Sequence, residues 1–315
     1  MAQFESLIGA NRAKSVVLVV LFILLYTALF FILAMTVVAL AFGWAAVHEA
    51  GTVAYAILIS HILAVAMAIA CYLGGPAMVI SAVGARRVLR AEDEVLHDVV
   101  DEMAVAAGAR PPAIYMIDSS AMNALATGLG PGKAAIIVTS GLRQRLTRDQ
   151  LQGVVAYGMA RIQNGDIHLV TVVAALMGFL VLAAEFYKLL FSSRDAWPVA
   201  IGILLIPWAI PVILVAPFLG RIIQLGVSRQ RQFMADAAAA RLTRYPEALA
   251  GALEIIASDT EPLLGASRAT APLFLMQPVT LDGDRMGGEG ESAWSSHPTV
   301  AGRIARLRSL GNTEG

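Results

Sequence analysis

The stretch from residue 15 to residue 48 contains no Asp, Glu, Lys or Arg. A helix of about 20 apolar residues crosses the ~30 Å hydrocarbon core of a bilayer, so this stretch is long enough to do so. It exceeds the apolar region of a signal peptide, and no small-residue cleavage site follows it. The charged share is 15%, against about 25% in soluble domains. We therefore expect an integral membrane protein with a soluble part.

Three further apolar stretches complete the predicted set of spans. The four predicted transmembrane helices cover residues 15–42, 53–83, 169–191 and 198–219. Lys and Arg concentrate before the first span, after the second and after the fourth, and such an excess marks the cytosolic side. We therefore predict a multi-pass protein with a cytosolic N-terminus (1–14) and a cytosolic domain in two halves, 86–168 and 220–315.

The two cytosolic halves have the patterns of a mixed domain. Helical periodicity covers 92–107 and 227–242, and Thr147 opens a further helix with a capping box to Gln150. Short strands are predicted at 113–118 and 134–139. Each half is too small for a good core, so we expect the two to pack together. The predicted fold is an α+β membrane protein, in which four spans carry a mainly helical domain with a small sheet.

Composition also limits the partners. The formal net charge is zero, which argues against binding to nucleic acid. The one cysteine, Cys71, lies in an apolar run, which excludes a disulfide scaffold. The expected partners are the lipid bilayer and other membrane proteins.

Several short motifs occur in an order typical of one family. They are Asn11-Arg12, Asn123-Ala-Leu-Ala-Thr127-Gly128, residues 135–142, residues 151–156, Asn164 with Asp166, residues 228–236, Ser296-His297-Pro298, and Arg303-Ile304. Through these motifs the chain resembles the HtpX-type integral-membrane zinc metalloproteases of the gluzincin class. The resemblance extends over most of the chain and implies a metalloprotease-like domain on a protein of the bacterial inner membrane.

The family's zinc motif, H-E-x-x-H, falls on the helix beginning near Leu151, and the resemblance places a third ligand, glutamate, on a later helix. Two His residues at i and i+4 share a helix face and bind one Zn²⁺, while the Glu activates its water. Here the two His positions hold Tyr157 and Arg161, the Glu position holds Gly158, and the third-ligand position holds Gln232. Arginine stays protonated and offers no lone pair, and glycine accepts no proton.

From these four departures we expect no metal, no cofactor and no catalysis, which makes the chain a pseudoenzyme of the zinc metalloendopeptidase class. The expected function is that of a binding, scaffold or accessory subunit in a membrane protein complex or in membrane protein quality control. Two alternatives stay open: an active membrane-bound metalloendopeptidase with an unorthodox metal site, and a transporter or channel. The near absence of ionisable residues in the spans argues against the transporter.

Two hypotheses concern the former zinc site. In the first, Arg161 occupies the volume of the zinc ion and pairs with Asp236, while Gln232 and Tyr157 add hydrogen bonds, since a buried Arg needs a partner. In the second, an edge strand binds extended polypeptides or partners by β-augmentation. The hypothetical binding residues are Asn123, Ala124, Leu125, Ala126, Thr127 and His297.

Other polar residues have structural interpretations. His61, inside the second span, is expected to hydrogen-bond between helices rather than relay protons. Asp166 and His168 are expected to be a capping residue and an interfacial residue, and Ser140 and Ser296 have no identifiable His–carboxylate partners.

Overall fold

The computed structural model describes residues 2–192, 202, 206, 207, 229–267, 269–281 and 298–311. These residues fall into two compact units. One draws on residues 1–74 and 175–222, and the other on residues 75–174 and 223–315.

Helices make up most of the described chain. They are α1 (Ala2–Phe42), α2 (Trp44–Val47), α3 (Ala50–Ala82), α4 (Glu94–Ala106), α5 (Ser140–Arg145), α6 (Arg148–Gln163), α7 (Asp166–Ser192), α8 (Arg229–Thr243), α9 (Pro246–Ala257) and α10 (Val300–Gly311). The strands are β1 (Arg86–Arg87), β2 (Ala113–Ile117), β3 (Ala124–Gly128) and β4 (Ala134–Thr139). The capping box predicted at Thr147 is confirmed at the start of α6.

Two of these helices are long and apolar enough to cross a membrane. They are the Val19–Phe42 part of α1, with mean hydropathy 2.6, and the whole of α3, with mean hydropathy 2.3. The third predicted span, 169–191, lies within α7, whose described apolar part is Val170–Leu180. The fourth, 198–219, lies outside the described residues except at 202, 206 and 207. The set of four spans therefore stays a prediction.

Helices of the first unit contact one another through aromatic and polar side chains. Tyr26 donates a hydrogen bond of 2.6 Å to the Leu176 carbonyl and packs edge-on against Phe179. The His61 ring lies 3.2 Å from the Thr27 hydroxyl. The interpretation of His61 as a partner between helices is therefore confirmed.

The second unit contains a four-stranded sheet in the order β1–β2–β4–β3. Strands β2 and β4 run parallel, while β1 and β3 pair antiparallel at the two edges. The predicted combination of a mainly helical structure and a small sheet is confirmed. The two-residue strand β1 was not predicted, because two exposed arginines carry no alternating pattern.

Helix α6 lies at the centre of this unit, where it packs against α4, α8, α9 and the sheet. Its close approach to α9 requires Gly153, since a Cβ there would lie 2.7 Å from the Leu249 nitrogen. The core includes Val155 and Met159 on α6, Leu253 on α9 and Ala235 on α8. Residues from both predicted halves of the soluble domain therefore share one core.

Candidate functional site

Helix α6 places Tyr157, Gly158 and Arg161 in the interior of the second unit. Tyr157 and Arg161 are four residues apart and so lie on one helix face. Only 3% of Tyr157 and 5% of Arg161 is exposed. The Arg161 guanidinium carbon lies 5.9 Å from the centre of the Tyr157 ring. A cation therefore lies where the resemblance places a zinc ligand.

Gly158 lies directly against strand β4. A Cβ at this position would lie 3.2 Å from Cδ1 and 3.3 Å from Cγ1 of Ile136. These distances are shorter than ordinary van der Waals contacts, so a larger residue requires Ile136 to move. The local packing thus favours glycine at the position where the family has its general base.

Asp236 on α8 forms a buried ion pair with Arg303 on α10. Arg303 donates to both carboxylate oxygens, at 2.9 Å from Nε and 2.6 Å from Nη2, and to the Leu275 carbonyl at 2.8 Å. Burial disfavours the Arg303 cation, but attraction to Asp236 outweighs this cost and raises the pKa of Arg303. Arg303 also lies over the Tyr157 ring, 5.1 Å from its centre.

The hypothesis that Arg161 pairs with Asp236 is therefore wrong. Arg161 donates to the Leu273 carbonyl at 2.5 Å and to the Pro272 carbonyl at 3.1 Å. The described ion pair of Asp236 is formed with Arg303 and not with Arg161. The expected hydrogen bond from Arg161 to Gln232 is also not seen, since the buried acceptor Oε1 of Gln232 has no partner among the described residues.

The two carbonyls that accept hydrogen bonds from Arg161 lie in residues 271–276, here called the cover segment. It begins as a 3-10 turn, Ala271–Leu273, and then runs antiparallel to β3, with Phe274 opposite Leu125. The Leu275 N–H donates to the Ala124 carbonyl at 2.7 Å. The free edge of β3 is thus paired with the chain's own backbone.

Asn123 fixes the far end of the cover segment. Its side-chain nitrogen donates to the Met276 carbonyl at 2.8 Å, and its side-chain oxygen accepts from the Met276 N–H at 3.3 Å. The same oxygen accepts from the Ala124 N–H at 2.9 Å. One buried amide therefore pairs with the backbone of both the strand and the cover segment.

Little space remains between α6, β3 and the cover segment. The cavity lined by Ala126, Tyr157, Gly158, Arg161 and Leu273 measures about 10 Å³. Such a volume holds about one water molecule. The site is closed in this conformation, and a polypeptide reaches the β3 edge only if the cover segment moves.

The residues at the family's zinc positions do not fit a zinc ion. They supply a phenol, a guanidinium and an amide, and the buried charge among them is the Arg161 cation, which repels a metal. Among the described residues, no group of three or more His, Cys, Asp or Glu is placed to hold a metal. Zinc chemistry at these positions thus has no ligand set in the described part of the chain.

The remaining predicted residues are distributed around this site. Ala126 and Thr127 are buried in β3, and the Thr127 hydroxyl lies 3.0 Å from that of Thr171. The Ser140 hydroxyl donates to the Ser119 carbonyl, which gives it a structural role. His297, like Ser296, lies outside the described residues.

Sequence reasoning missed two parts of the site. Arg303 appeared only as a motif residue, although it is the partner of Asp236. The cover segment carried no motif, and its pairing with β3 joins positions far apart in the chain. A buried carboxylate such as that of Asp236 requires a cation nearby, and this requirement could have pointed to Arg303. No local pattern identifies the cover segment.

Comparisons with known proteins show similarity to one peptidase family and to several of its members. Peptidase family M48 matches residues 90–311. The Protease HtpX homolog of Dictyoglomus turgidum is 38% identical over 72% of this chain and 73% of that protein. The Streptococcus agalactiae homolog is 29% identical over 96% of this chain and 98% of that protein. The crystal structure of S. mikatae Ste24p matches 78% of this chain and 57% of that chain, at 19% sequence identity and a TM-score of 0.45.

These comparisons contradict the expectation that the chain is not an enzyme. The matched family is a peptidase family, and the matched relatives are named proteases. The expectation rested on four positions only, Tyr157, Gly158, Arg161 and Gln232. Similarity over most of the chain favours a protease.

Proposed function

We propose that this chain, which belongs to peptidase family M48 as an HtpX-type membrane protein, binds extended segments of other membrane proteins along the edge of β3. This activity would serve membrane protein quality control or a larger membrane complex. Strand β3 is then the polypeptide-binding edge, and the cover segment is the part of the chain that occupies this edge in the structure, here called the occupant.

One observation carries this proposal: the β3 edge already binds an extended backbone. The antiparallel pairing of Phe274 with Leu125, and the bond from the Leu275 N–H to Ala124, are the contacts by which an added strand joins a sheet. Asn123 adds two hydrogen bonds to the backbone of the occupant, one to the Met276 carbonyl and one from the Met276 N–H. All these contacts are to the main chain, so they suit polypeptides of varied sequence.

The side chains of the cover segment indicate which polypeptides would replace it. Leu273, Phe274 and Leu275 are at most 1% exposed. Exposing three such side chains costs about 5 kcal/mol or more, at about 1.5–3 kcal/mol each. An incoming segment offsets this cost by burying its own apolar side chains, so we expect apolar stretches of membrane proteins to bind best.

The membrane setting is part of the same proposal. Two helices are long and apolar enough to span, and the excess of Lys and Arg next to the predicted spans favours a domain on the cytosolic face of the inner membrane. The domain would then meet the cytosolic tails and loops of membrane proteins.

Peptide-bond hydrolysis is the second candidate function. It is favoured by the names of the relatives, which are proteases. The residues that replace the zinc ligands give no route through zinc, so the assay for cleavage must include conditions with and without added metal ions.

A reversible lock on the cover segment tests the proposal. Leu125 and Phe274 lie opposite each other in the antiparallel pairing, and the hydrogen bond from the Leu275 N–H to the Ala124 carbonyl lies beside them. This is the pattern of a non-hydrogen-bonded antiparallel pair, whose close Cβ atoms suit a disulfide. The variant Leu125→Cys/Phe274→Cys is made in a Cys71→Ala background, which removes the one native cysteine. Full-length protein in nanodiscs is incubated with a fluorescent apolar polypeptide, and both binding and the formation of fragments are followed.

We expect the reduced variant to bind the polypeptide and the oxidised variant to bind at least tenfold more weakly. The same molecules serve as their own control, because reductant restores the first state. Equal binding by both states, or binding by neither, would refute the proposal that β3 is the binding edge. Fragments released only from the reduced state would establish hydrolysis at this site.

A further inference from the structure

A second cavity lies at the end of α3, away from the β3 edge. It measures about 710 Å³ and opens to the surface. Pro76, Ala77 and Ile80 from the last turns of α3 form one wall, and residues 113–115 of β2 lie on another side. Six residues from Pro76 to the helix end at Ala82 rise about 9 Å. If α3 spans the bilayer, this cavity lies at the level of the lipid headgroups.

The charged residues that line the cavity are all basic. They are Arg87, Arg90 and Lys133, and no acidic residue is among the lining residues that the structure describes. Arg90 is already paired with Asp98 and Asp101. Arg87 and Lys133 are exposed and have no ion pair with a carboxylate in the described part of the chain.

We infer that this cavity binds the phosphate-bearing headgroup of an anionic phospholipid, with Arg87 and Lys133 facing the phosphate. Three features select a lipid. The cavity has two cations that no described carboxylate pairs with, its α3 wall is apolar, and that wall continues from a predicted membrane span. Basic pockets next to membrane helices suit phosphate headgroups, and the apolar wall suits the start of an acyl chain.

Arg86 provides a matched control next to Arg87. Arg86 precedes it on β1, so the two side chains project to opposite faces of the strand. Arg86 pairs with Glu92 at 2.6 Å and with Asp118 at 3.2 Å, and it does not line the cavity. Neutralising Arg86 removes the same charge from the same short strand but leaves the cavity unchanged.

The test uses full-length protein in a neutral detergent, titrated with phosphatidylglycerol, phosphatidylcholine or inorganic phosphate. Native mass spectrometry counts the bound molecules. Each cation near an anionic lipid contributes about fivefold in affinity. The variant Arg87→Gln/Lys133→Gln is therefore expected to bind phosphatidylglycerol about 30-fold more weakly, and Arg86→Gln within about twofold of the parent. Both altered residues are exposed, and near-UV circular dichroism checks that each variant is folded.

Three outcomes would overturn the inference. The first is undiminished phosphatidylglycerol binding by the double variant. The second is equal binding of phosphatidylcholine, which would show that the net negative charge of the headgroup does not contribute to binding. The third is equally tight binding of inorganic phosphate, which would make the ligand a soluble phosphate. None of these outcomes depends on β3, so this test is independent of the polypeptide-binding test.

Discussion

Two buried arginines lie near the Tyr157 ring and are held in different ways. Arg303 is 1% exposed and forms a bidentate pair with Asp236. Arg161 is 5% exposed, and its described hydrogen bonds go to two carbonyls of the cover segment. The Arg303 pair joins α8 to α10, and one further hydrogen bond from Arg303 reaches the Leu275 carbonyl of the cover segment, whereas both described hydrogen bonds of Arg161 exist only while the cover segment is in place.

This difference separates the stable part of the site from the part that can change. A buried ion pair is strongly destabilised when one partner is removed, because the other charge stays buried. A cation held by carbonyl oxygens has no opposite charge and is more readily returned to water. Arg303 therefore maintains the fold, and Arg161 is suited to fastening a segment that opens.

The largest expected effect comes from Asp236→Asn, which keeps the shape of the side chain and removes its charge. Arg303 then stays buried without a counter-charge, and the free energy of unfolding is expected to fall by about 3–5 kcal/mol. Thermal unfolding of the full chain in detergent measures the change. Glu247→Gln is the matched control, because Glu247 pairs with Arg308 on the surface and no resolvable change is expected. A loss equal to that control would contradict the structural role of Arg303.

A smaller effect is expected for Arg161→Met, which replaces the cation by an apolar side chain of similar length. Two carbonyls lose their donors, at a cost of about 1–3 kcal/mol, but a buried charge is removed as well. We expect the net loss to be less than half of that caused by Asp236→Asn. The variant should also gain affinity for apolar polypeptides, since the cover segment is released more easily. A loss as large as that of Asp236→Asn, with no gain in binding, would show that Arg161 serves the fold alone.

The smallest resolvable change in the free energy of unfolding is expected at the half-buried ion pair of Asp93 with Arg143. Asp93 caps α4 at Leu96 and accepts two hydrogen bonds from Arg143. Burial raises the pKa of Asp93, but the bonds from Arg143 and the Leu96 N–H outweigh this and hold it below its ordinary value of 3.8. Asp93→Asn is expected to lower the free energy of unfolding by about 1–2 kcal/mol at neutral pH.

The pH dependence of the Asp93 effect follows from the lowered pKa. The contribution of the pair is complete above the ordinary pKa of Asp, near 4, and is lost as the pH falls through the lower folded-state pKa. The difference between parent and Asp93→Asn should therefore be constant from pH 5 to 8 and shrink on acidification below about pH 4. A difference that stays constant to pH 2 would show that the Asp93 charge contributes nothing.

Local patterns predicted much of the second unit. The periodicity at 92–107 predicted α4, the capping box predicted the start of α6, and the runs at 113–118 and 134–139 predicted β2 and β4. These elements were predictable because their caps and apolar spacing lie within a few residues of one another. The pairing of Arg161 was not predicted correctly, because its acceptors lie more than a hundred residues further along the chain.

The sequence by itself determined that the chain has membrane-length apolar helices, which family it resembles, and that its zinc positions hold Tyr157, Gly158, Arg161 and Gln232. Only the tertiary structure decided which carboxylate pairs with which arginine and what covers β3. Periodicity and motif content are properties of neighbouring residues and can be read locally. The choice among several possible partners for a buried charge depends on which side chains the packing of α6, α8, α10 and the cover segment brings within hydrogen-bond distance.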